Sequence, residues 1–234
     1  MIMDGGNKYL INSISDFFLP RFCVSCSSKL DFNEKYICKS CHSNIKFASK
    51  SRINREFERK FKDKEIVSDF FSFYVFEKDK ELQNVIHSLK YKNNFGIGIF
   101  LGKLLANELL NQKSYWDIDS IIPIPLHQLK KAERGYNQSF YIAKGINKIL
   151  KRKLNSRLVK RVKYTESQTS MNLMEREQNI SGAFKVRFSK LIDGKNILLV
   201  DDVITTGATI SECASVLLKV GAKRIYAASV GIAD

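Results

Sequence analysis

The amino-acid sequence predicts an α/β fold with a mainly parallel sheet flanked by helices, preceded by a small module held by four cysteines. From residue 67 onward, short apolar runs typical of buried strands alternate with segments whose apolar residues recur at helical spacing. The clearest pair is the wholly apolar run Ile197–Val200 and the helical segment Thr209–Val220, which Gly221 closes. Because ligands of parallel sheets bind at the carboxyl ends of strands, we expect functional residues there.

The other elements follow the same alternation. Strands are predicted at Phe70–Phe76, Ile118–Ile124 and Ile225–Val230, and helices at Leu82–Leu89, Phe100–Leu109 and Ser139–Leu150. Upstream, residues 7–18 predict an amphipathic helix, and residues 49–64 carry seven Lys or Arg with three large apolar residues at helical spacing. We therefore expect three parts: a helix plus cysteine module at 1–48, a basic connector at 49–66 and the α/β domain at 67–234.

Composition narrows the classes of function. The chain has 234 residues, 44% of them apolar, and 39 Lys or Arg against 24 Asp or Glu, so its formal net charge is +15. A surplus of that size predicts polyanionic partners, such as nucleic acid, phosphorylated ligands or an anionic membrane face. No run of about 18 uncharged apolar residues and no secretory signal is visible, so the sequence predicts a cytoplasmic protein without a membrane span.

Four of the five cysteines form two Cys-x-x-Cys pairs with eleven residues between them. They are Cys23, Cys26, Cys38 and Cys41. Two pairs this close match a tetrahedral zinc site in which four thiolates leave no open position for catalysis, so the predicted zinc is structural. A disulfide framework is the alternative, but the absence of a signal favours a reducing compartment. Cys213 falls in a predicted helix and is expected to be a buried apolar residue.

The most specific motif is the thirteen-residue run from Ile197 to Thr209, which reads Ile-Leu-Leu-Val-Asp-Asp-Val-Ile-Thr-Thr-Gly-Ala-Thr. Backbone N–H groups and hydroxyls of such a loop, at a helix N-terminus, can hold a phosphate dianion. Gly207 removes the Cβ where the backbone must approach a ligand closely. Asp201 and Asp202, expected at the strand end, are suited to accept hydrogen bonds from vicinal hydroxyls. The run predicts a sugar-phosphate site; a strand–turn–helix with an N-capping threonine is the alternative.

This run resembles the 5-phosphoribosyl-1-pyrophosphate (PRPP) motif of type I phosphoribosyltransferases at all thirteen positions. The resemblance implies a type I phosphoribosyltransferase-like fold in which Asp201 and Asp202 bond the ribose 2′- and 3′-hydroxyls. It implies that the 5′-phosphate is held by Thr205, Thr206, Gly207, Ala208 and Thr209. It also implies that Mg²⁺ bridges pyrophosphate and ribose oxygens.

A second group of residues follows the strand predicted at Ile118–Ile124. In phosphoribosyltransferases the loop at this place binds pyrophosphate, so the resemblance implies ligand contacts from Pro125 and Leu126. Arg134 can bond phosphate oxygens bidentately and would stabilise the leaving pyrophosphate, so we predict it as catalytic together with the two aspartates. The alternative for Arg134 is a surface cation. His127, in the same loop, is either a ligand contact or a turn-capping side chain.

Positive charge is concentrated in one part of the chain. Residues 126–190 hold 16 Lys or Arg and four acidic residues, and residues 148–163 hold eight bases and no acid. A basic groove with stacking aromatic side chains binds single strands with little sequence preference, and Tyr164 follows the run directly. A solvated basic face is the alternative. The predicted nucleic-acid contacts are Lys151, Arg152, Lys153, Arg157, Lys160, Arg161 and Lys163.

Taken together, the motifs resemble the ComF (ComFC) family of bacterial competence proteins over nearly the whole chain. Besides the cysteine pairs and the PRPP motif, they are Leu19–Cys23, Leu89–Lys92, Pro123–Leu126, Arg134–Gln138, the spaced Thr165, Gln168, Arg176 and Asn179, and Gly182–Phe184. The resemblance implies a part in handling incoming single-stranded DNA during natural transformation. It also implies a place at the cytoplasmic side of the membrane, with a helicase-like ATPase as partner.

Two other functions stay open at this point. An active phosphoribosyltransferase would bind PRPP with Mg²⁺, release pyrophosphate and transfer phosphoribose to a nucleobase or amine that the sequence does not identify. A zinc-organised interaction adaptor would keep the pocket only as a vestige. DNA binding, release of pyrophosphate and binding of PRPP are the observations that separate these three functions.

Overall fold

A computed structural model of the chain describes residues 20–164 and 180–233. The helix predicted at 7–18 and the family positions Thr165, Gln168, Arg176 and Asn179 lie outside these ranges. Within the ranges, no helix combines the length and the apolar character that crossing a membrane requires.

A five-stranded sheet, parallel throughout, forms the centre of the fold. Its strands in chain order are β1 (Asp69–Val75), β2 (Ser120–Pro123), β3 (Lys153–Leu154), β6 (Asn196–Ile204) and β7 (Arg224–Ile232). In space they follow the order β1-β7-β6-β2-β3. A separate antiparallel ribbon pairs β4 (Val159–Arg161) with β5 (Phe184–Val186). The predicted parallel sheet is confirmed.

Seven α-helices are assigned within the described ranges. They are α1 (Lys39–Asn44), α2 (Lys50–Phe61), α3 (Glu81–Tyr91), α4 (Phe95–Gln112), α5 (Gln128–Arg134), α6 (Gln138–Leu150) and α7 (Ala208–Leu218). Short 3₁₀ turns occupy Lys62–Lys64 and Ser189–Leu191. Each helix predicted in the α/β domain has a counterpart, whereas α5 was not predicted, because none of its seven residues is buried and it shows no apolar periodicity.

The apolar run Ile197–Val200 is fully buried, and β6 lies between two other strands of the sheet. This is typical of a central strand in a parallel sheet whose faces are covered by helices. The strand is longer than predicted and continues to Ile204. Asp201 and Asp202, expected to follow the strand, therefore lie inside it, and their backbone continues the pairing with β7. The reason is that polar side chains do not end a strand whose backbone hydrogen bonds still have a partner.

Helices α4 and α6 cross at a contact made by two glycines. A Cβ on Gly102 would overlap the carbonyl oxygen of Ile142, and a Cβ on Gly145 would lie 2.9 Å from the Cα of Gly102. Close approach of the two backbones explains glycine at both positions. The contact presses α6 onto the sheet, and the first residues of α6 are those that reach the functional site.

The segment predicted as a basic connector forms α2, and its predicted narrow apolar face is present. Ile53 and Phe61 are buried, and Phe61 packs on Phe70 of β1. Glu56 and Lys60 are buried together, with 3.0 Å between the carboxylate and Nζ, and Lys60 also donates to the carbonyl of Ala233. Because its buried face meets the sheet and the C-terminal residues, this segment is packed onto the α/β domain.

Replacing Gly102 with valine is expected to lower the free energy of unfolding by about 2–3 kcal/mol, because the branched side chain would force α4 and α6 apart. Lys103→Ala, one residue along and exposed, is the control and should change it by less than about 0.5 kcal/mol. Urea unfolding monitored by circular dichroism measures both. Equal stability of the two variants would contradict close helix contact at this position.

Candidate functional site

The site lies where one strand of the sheet ends before its neighbour. The pairing of β2 with β6 stops at Pro123 and Val200, after which the N–H of Ile124 makes a last bond to the Val200 carbonyl at 2.9 Å. Strand β6 runs on for four more residues, beginning with Asp201 and Asp202. The two aspartates thus occupy a sheet edge at the carboxyl end of β2, the place at which parallel sheets bind ligands.

A small pocket of about 150 Å³ collects half of the predicted sugar-phosphate residues. Its walls are Ile124, Leu126, Lys130, Arg134, Gln138, Ser139, Arg161, Asp201, Asp202 and Thr209. Three of these side chains are cationic and two are carboxylates. The structure therefore brings Asp201, Asp202, Arg134, Leu126 and Thr209 together, and it adds two cations, Lys130 and Arg161.

Each carboxylate of the pair has its own partner. Ser139, at the start of α6, donates its hydroxyl to Oδ1 of Asp201 at 2.8 Å. Lys90, near the end of α3, places Nζ 2.8 Å from Oδ2 of Asp202. Asp202 is buried and lines the pocket, whereas Lys90 is not one of the lining residues and its side chain is 24% exposed. An ion pair at this depth is screened less by salt than a surface pair.

The two aspartates differ in acidity because their surroundings differ. Burial and the neighbouring Asp202 carboxylate raise the pKa of Asp201 to about 7. Burial also opposes ionisation of Asp202, but the charge and hydrogen bond of Lys90 outweigh it and lower the pKa of Asp202. Near neutral pH, Asp202 is therefore the permanent anion and Asp201 is the one that gains or loses a proton.

The loop from Thr205 to Thr209 turns directly into α7. Gly207 has φ of +81°, which favours glycine, and it is the residue that precedes the helix. A Cβ at this position would lie 2.9 Å from the ring of Phe61, so α2 supports the loop from below. The hollow inside the loop measures about 30 Å³, so a phosphate group would sit at its mouth. Ala208 is the first residue of α7, and its N–H donates to the hydroxyl of Thr206 at 3.4 Å.

Arg134 and His127 lie at opposite ends of α5. His127 caps the helix, since its Nδ1 accepts the N–H of Leu129 at 3.3 Å, which is the turn-capping alternative. The guanidinium of Arg134 donates to the hydroxyl of Tyr91 at 3.3 Å and lies 5.2 Å from the centre of that ring. Arg134 also lines the aspartate pocket, so Tyr91 holds it in a geometry from which it can reach a ligand.

A larger cavity of about 760 Å³ opens beside the aspartate pocket and shares Leu126 and Arg161 with it. Its lining includes the cations Lys131, Arg157, Lys160, Arg161 and Arg187, the aromatic residues Tyr136, Phe140 and Tyr141, and Pro125. Three predicted nucleic-acid residues, Arg157, Lys160 and Arg161, therefore line this cavity. Lys163 is exposed next to the ribbon and does not line this cavity.

The other predicted nucleic-acid residues lie elsewhere on the sheet. Lys153 pairs with Ser120, the first residue of β2, so Lys151, Arg152 and Lys153 lie at the amino ends of the strands. The aspartates lie past the carboxyl end of β2. The basic run is thus divided into a part beside the site and an exposed part at the other end of the edge strand.

Sequence reasoning missed three polar residues that the structure brings to the aspartates: Lys90, Lys130 and Ser139. Lys90 and Ser139 lie on helices whose apolar faces were visible, but nothing in a helical pattern says which strand its polar residues meet. Lys90 belongs to the Leu89–Lys92 motif, and that motif was the available signal. Lys130 lies on α5, which no periodicity revealed.

The four predicted zinc ligands meet in one cluster. The Sγ atoms of Cys23, Cys26, Cys38 and Cys41 all lie within 4.8 Å of one another, and three of the four residues are buried. Hydrogen bonds from Ser28 lower the pKa of Cys26 to about 6, which favours the thiolate that a metal requires. These residues fit a structural Zn²⁺ site, whose ion would cross-link the small module. Cys213 is buried away from them, as expected for an apolar residue.

A Mg²⁺ site is not presented by protein side chains alone. Mg²⁺ requires oxygen ligands in near-octahedral geometry. Asp202 is already paired with Lys90, Asp201 accepts from Ser139, and further cations line the same pocket. The arrangement suits a ligand that carries its own negative charge better than a bare divalent cation.

Removal of one zinc ligand should remove the metal. In Cys41→Ala, the zinc content should fall from about one ion per chain to near zero, and the melting temperature should fall with it, because the module depends on the ion to stay folded. Cys213→Ala is the matched control and should keep its zinc. The measurement is elemental analysis of purified protein, and a full zinc content in Cys41→Ala would contradict a four-cysteine site.

Asp201→Asn should stabilise the protein at pH 8 and do so less at pH 5. The pKa of Asp201 is higher in the folded protein than in the unfolded chain, so folding takes up a proton. Its contribution to stability is therefore complete below about pH 4 and is lost as the pH rises through about 7. The asparagine avoids that loss, by about 1–2 kcal/mol at pH 8. Urea unfolding at both pH values is the measurement; a pH-independent difference would contradict the assignment.

The sequence is similar to those of several known proteins. A phosphoribosyl transferase domain matches residues 137–232. Competence protein F of Haemophilus influenzae is 28% identical over 220 residues, which cover 87% of this chain and 93% of that protein. DNA utilization protein YhgH of Escherichia coli O6:H1 is 32% identical over 147 residues, 62% of this chain and 64% of that protein. Competence protein ComFC of Bacillus subtilis is 24% identical over 205 residues, 86% of this chain and 79% of that protein.

Among solved structures, glutamine phosphoribosylpyrophosphate amidotransferase from B. subtilis matches with 18% identity and a TM-score of 0.42, over 61% of this chain and 30% of that chain. The resemblance to the ComF family, inferred above from the motifs, is confirmed by the named relatives, and the phosphoribosyltransferase-like fold is confirmed by the sheet and the domain match. The chain carries a phosphoribosyl transferase domain and is related to competence protein F and ComFC.

Proposed function

We propose that the protein binds single-stranded DNA and handles it during natural transformation, and that a PRPP pocket adjoins its DNA-binding surface. The observation that carries the proposal is the pairing of two neighbouring cavities of different character. One is small and combines carboxylates with cations, and the other is large and combines cations with aromatic rings. The competence and DNA-utilization names of the relatives supply the context.

The large cavity has the composition that single strands require. Bases stack on aromatic rings with little dependence on sequence, and Tyr136, Phe140 and Tyr141 supply such rings in the lining of the cavity. Phosphates are neutralised by Lys and Arg, and Lys160 and Arg157 supply positive charge in the same lining. Tyr164 extends the surface, with its ring 5.7 Å from Nζ of Lys130 and near His127.

The small pocket would bind PRPP in three parts. Asp201 and Asp202 would accept hydrogen bonds from the ribose hydroxyls, and the loop from Thr205 to Thr209 would hold the 5′-phosphate at the N-terminus of α7. The diphosphate would face the cations, among them Arg134 and Lys130. In this proposal Mg²⁺ reaches the pocket on the diphosphate, since the protein carboxylates already have partners.

The proposal includes a location and a partner. The resemblance to competence proteins supports a cytoplasmic protein that works at the inner face of the membrane beside a helicase-like ATPase. The basic surface would assist such a place, because each exposed Lys or Arg near an anionic leaflet contributes about 1 kcal/mol of attraction. Co-sedimentation with anionic and with neutral vesicles tests the membrane part.

Reversing the charge of two basic residues should weaken DNA binding by an amount that depends on which part of the basic run is changed. Arg157→Glu with Lys160→Glu alters the cavity wall and should weaken binding of a labelled single strand by about tenfold or more. Lys151→Glu with Lys153→Glu makes the same change of charge at the far end of the edge strand and should weaken it less. Fluorescence anisotropy at several salt concentrations measures both. If the wild-type protein binds no single strand at low salt, the proposal is wrong.

An active phosphoribosyltransferase is the second candidate, favoured by the large cavity that shares Leu126 and Arg161 with the sugar-phosphate pocket and has room for an acceptor. Release of pyrophosphate from PRPP with a panel of nucleobases is the test. If the wild-type protein turns over PRPP and Asp201→Ala and Asp202→Ala abolish that turnover, transferase activity becomes the favoured function in place of DNA handling. A calorimetric titration with PRPP and Mg²⁺ that gives no heat would instead favour the adaptor with a vestigial pocket.

A further inference from the structure

Lys90 is paired with an aspartate of the pocket, although it is not one of the residues that line the pocket. It comes from α3, while the aspartates come from β6, and its Nζ lies 2.8 Å from Oδ2 of Asp202. The side chain of Asp202 is 7% exposed, so Lys90 is the counter-charge of a nearly buried carboxylate. A buried carboxylate needs such a counter-charge, because desolvation otherwise makes its ionised form costly.

The pocket carries more positive than negative charge without any metal. Lys90, Lys130, Arg134 and Arg161 are the cationic side chains around the two aspartates. Burial lowers the pKa of Lys130, and repulsion by the neighbouring charges of Arg161, Arg134 and Lys90 lowers it further. A divalent cation that entered alone would meet this repulsion, whereas a diphosphate would relieve it.

We propose that Lys90 is a built-in cation of the sugar-phosphate pocket, standing beside Asp202 where a metal ion would otherwise stand. The proposal rests on the PRPP pocket proposed above and adds that a diphosphorylated pentose binds there without a requirement for Mg²⁺. When the ligand enters, the ribose hydroxyls bond Asp202, and the ammonium of Lys90 is shared with the oxygens of the diphosphate. No covalent bond forms or breaks in this step.

The chemistry of lysine suits this exchange of partners. Its ammonium group has three donors on a flexible stem, so it can bond a carboxylate and a phosphate oxygen at the same time. Arg134, by contrast, is held on the ring of Tyr91. The ammonium group of Lys90 can therefore move to bond the bound ligand, while the guanidinium of Arg134 stays on the ring of Tyr91.

Isothermal titration calorimetry of the full-length protein tests the proposal with three probes: Mg²⁺ alone, PRPP with EDTA, and PRPP with Mg²⁺. The variants are Lys90→Met, which keeps an unbranched side chain of nearly the same length but removes the charge, and Lys90→Arg, which keeps the charge. Lys92→Met is the matched control, because Lys92 lies two residues further along and is exposed. Thermal melts verify that each variant folds.

Wild type and Lys92→Met should bind PRPP in EDTA within about tenfold of the affinity in Mg²⁺. Lys90→Met should lose about tenfold or more in EDTA, regain part of the loss with Mg²⁺, and bind Mg²⁺ alone more tightly than wild type. Lys90→Arg should restore most of the binding in EDTA. If wild type binds PRPP only with Mg²⁺, and Lys90→Met behaves as Lys92→Met does, the proposal is overturned.

Failure of the pocket itself gives a different result. If PRPP produces no heat with wild type under any condition, the proposed PRPP pocket is wrong, and the titration with Mg²⁺ alone still decides the role of Lys90. Tighter Mg²⁺ binding by Lys90→Met would then support a lysine in the place of a metal. Equal Mg²⁺ binding by Lys90→Met, wild type and Lys92→Met would overturn it. If Lys90→Met does not fold, Lys90→Ala replaces it in the same titrations.

Discussion

Two adjacent carboxylates in a largely buried strand are the constraint on which the site depends. Asp201 and Asp202 cannot both remain ionised out of water unless positive charge and hydrogen-bond donors face them. The fold supplies these groups from separate elements: Ser139 from α6, Lys90 from α3, and cations from α5 and β4. Ser139 and the cations of α5 and β4 also line the pocket beside the two carboxylates.

The early end of β2 makes the arrangement accessible. Had β2 continued beside β6, its backbone would cover the edge at which Asp201 lies, and the chain would have no crevice there. Instead the chain leaves the sheet at Ile124 and enters α5 and α6, so their polar residues meet the exposed edge. The glycine contact between α4 and α6 and the support of Gly207 by Phe61 hold these parts at fixed distances. The basic segment before the α/β domain therefore belongs to the framework of the site.

The neighbouring cavity is the larger of the two and is also lined by cations. Leu126 and Arg161 line both spaces, so a strand in one and a phosphorylated pentose in the other would face the same guanidinium. Two polyanions that share a cation bind less independently than two that do not, and any such coupling acts equally in both directions. This geometry is compatible with a DNA-handling protein whose pocket senses a nucleotide precursor and with a transferase whose acceptor occupies the larger space.

Local patterns in the sequence determined the alternation of strands and helices, the cysteine cluster and the motif at Ile197–Thr209, because each depends on the spacing of residues close together in the chain. The partners of Asp201 and Asp202 come from residues 62 to 112 positions earlier, and no local period encodes which strand a polar helix residue meets. For the same reason the single basic run became two surfaces. Only the tertiary structure decided these pairings, because the order of strands in space differs from their order in the chain.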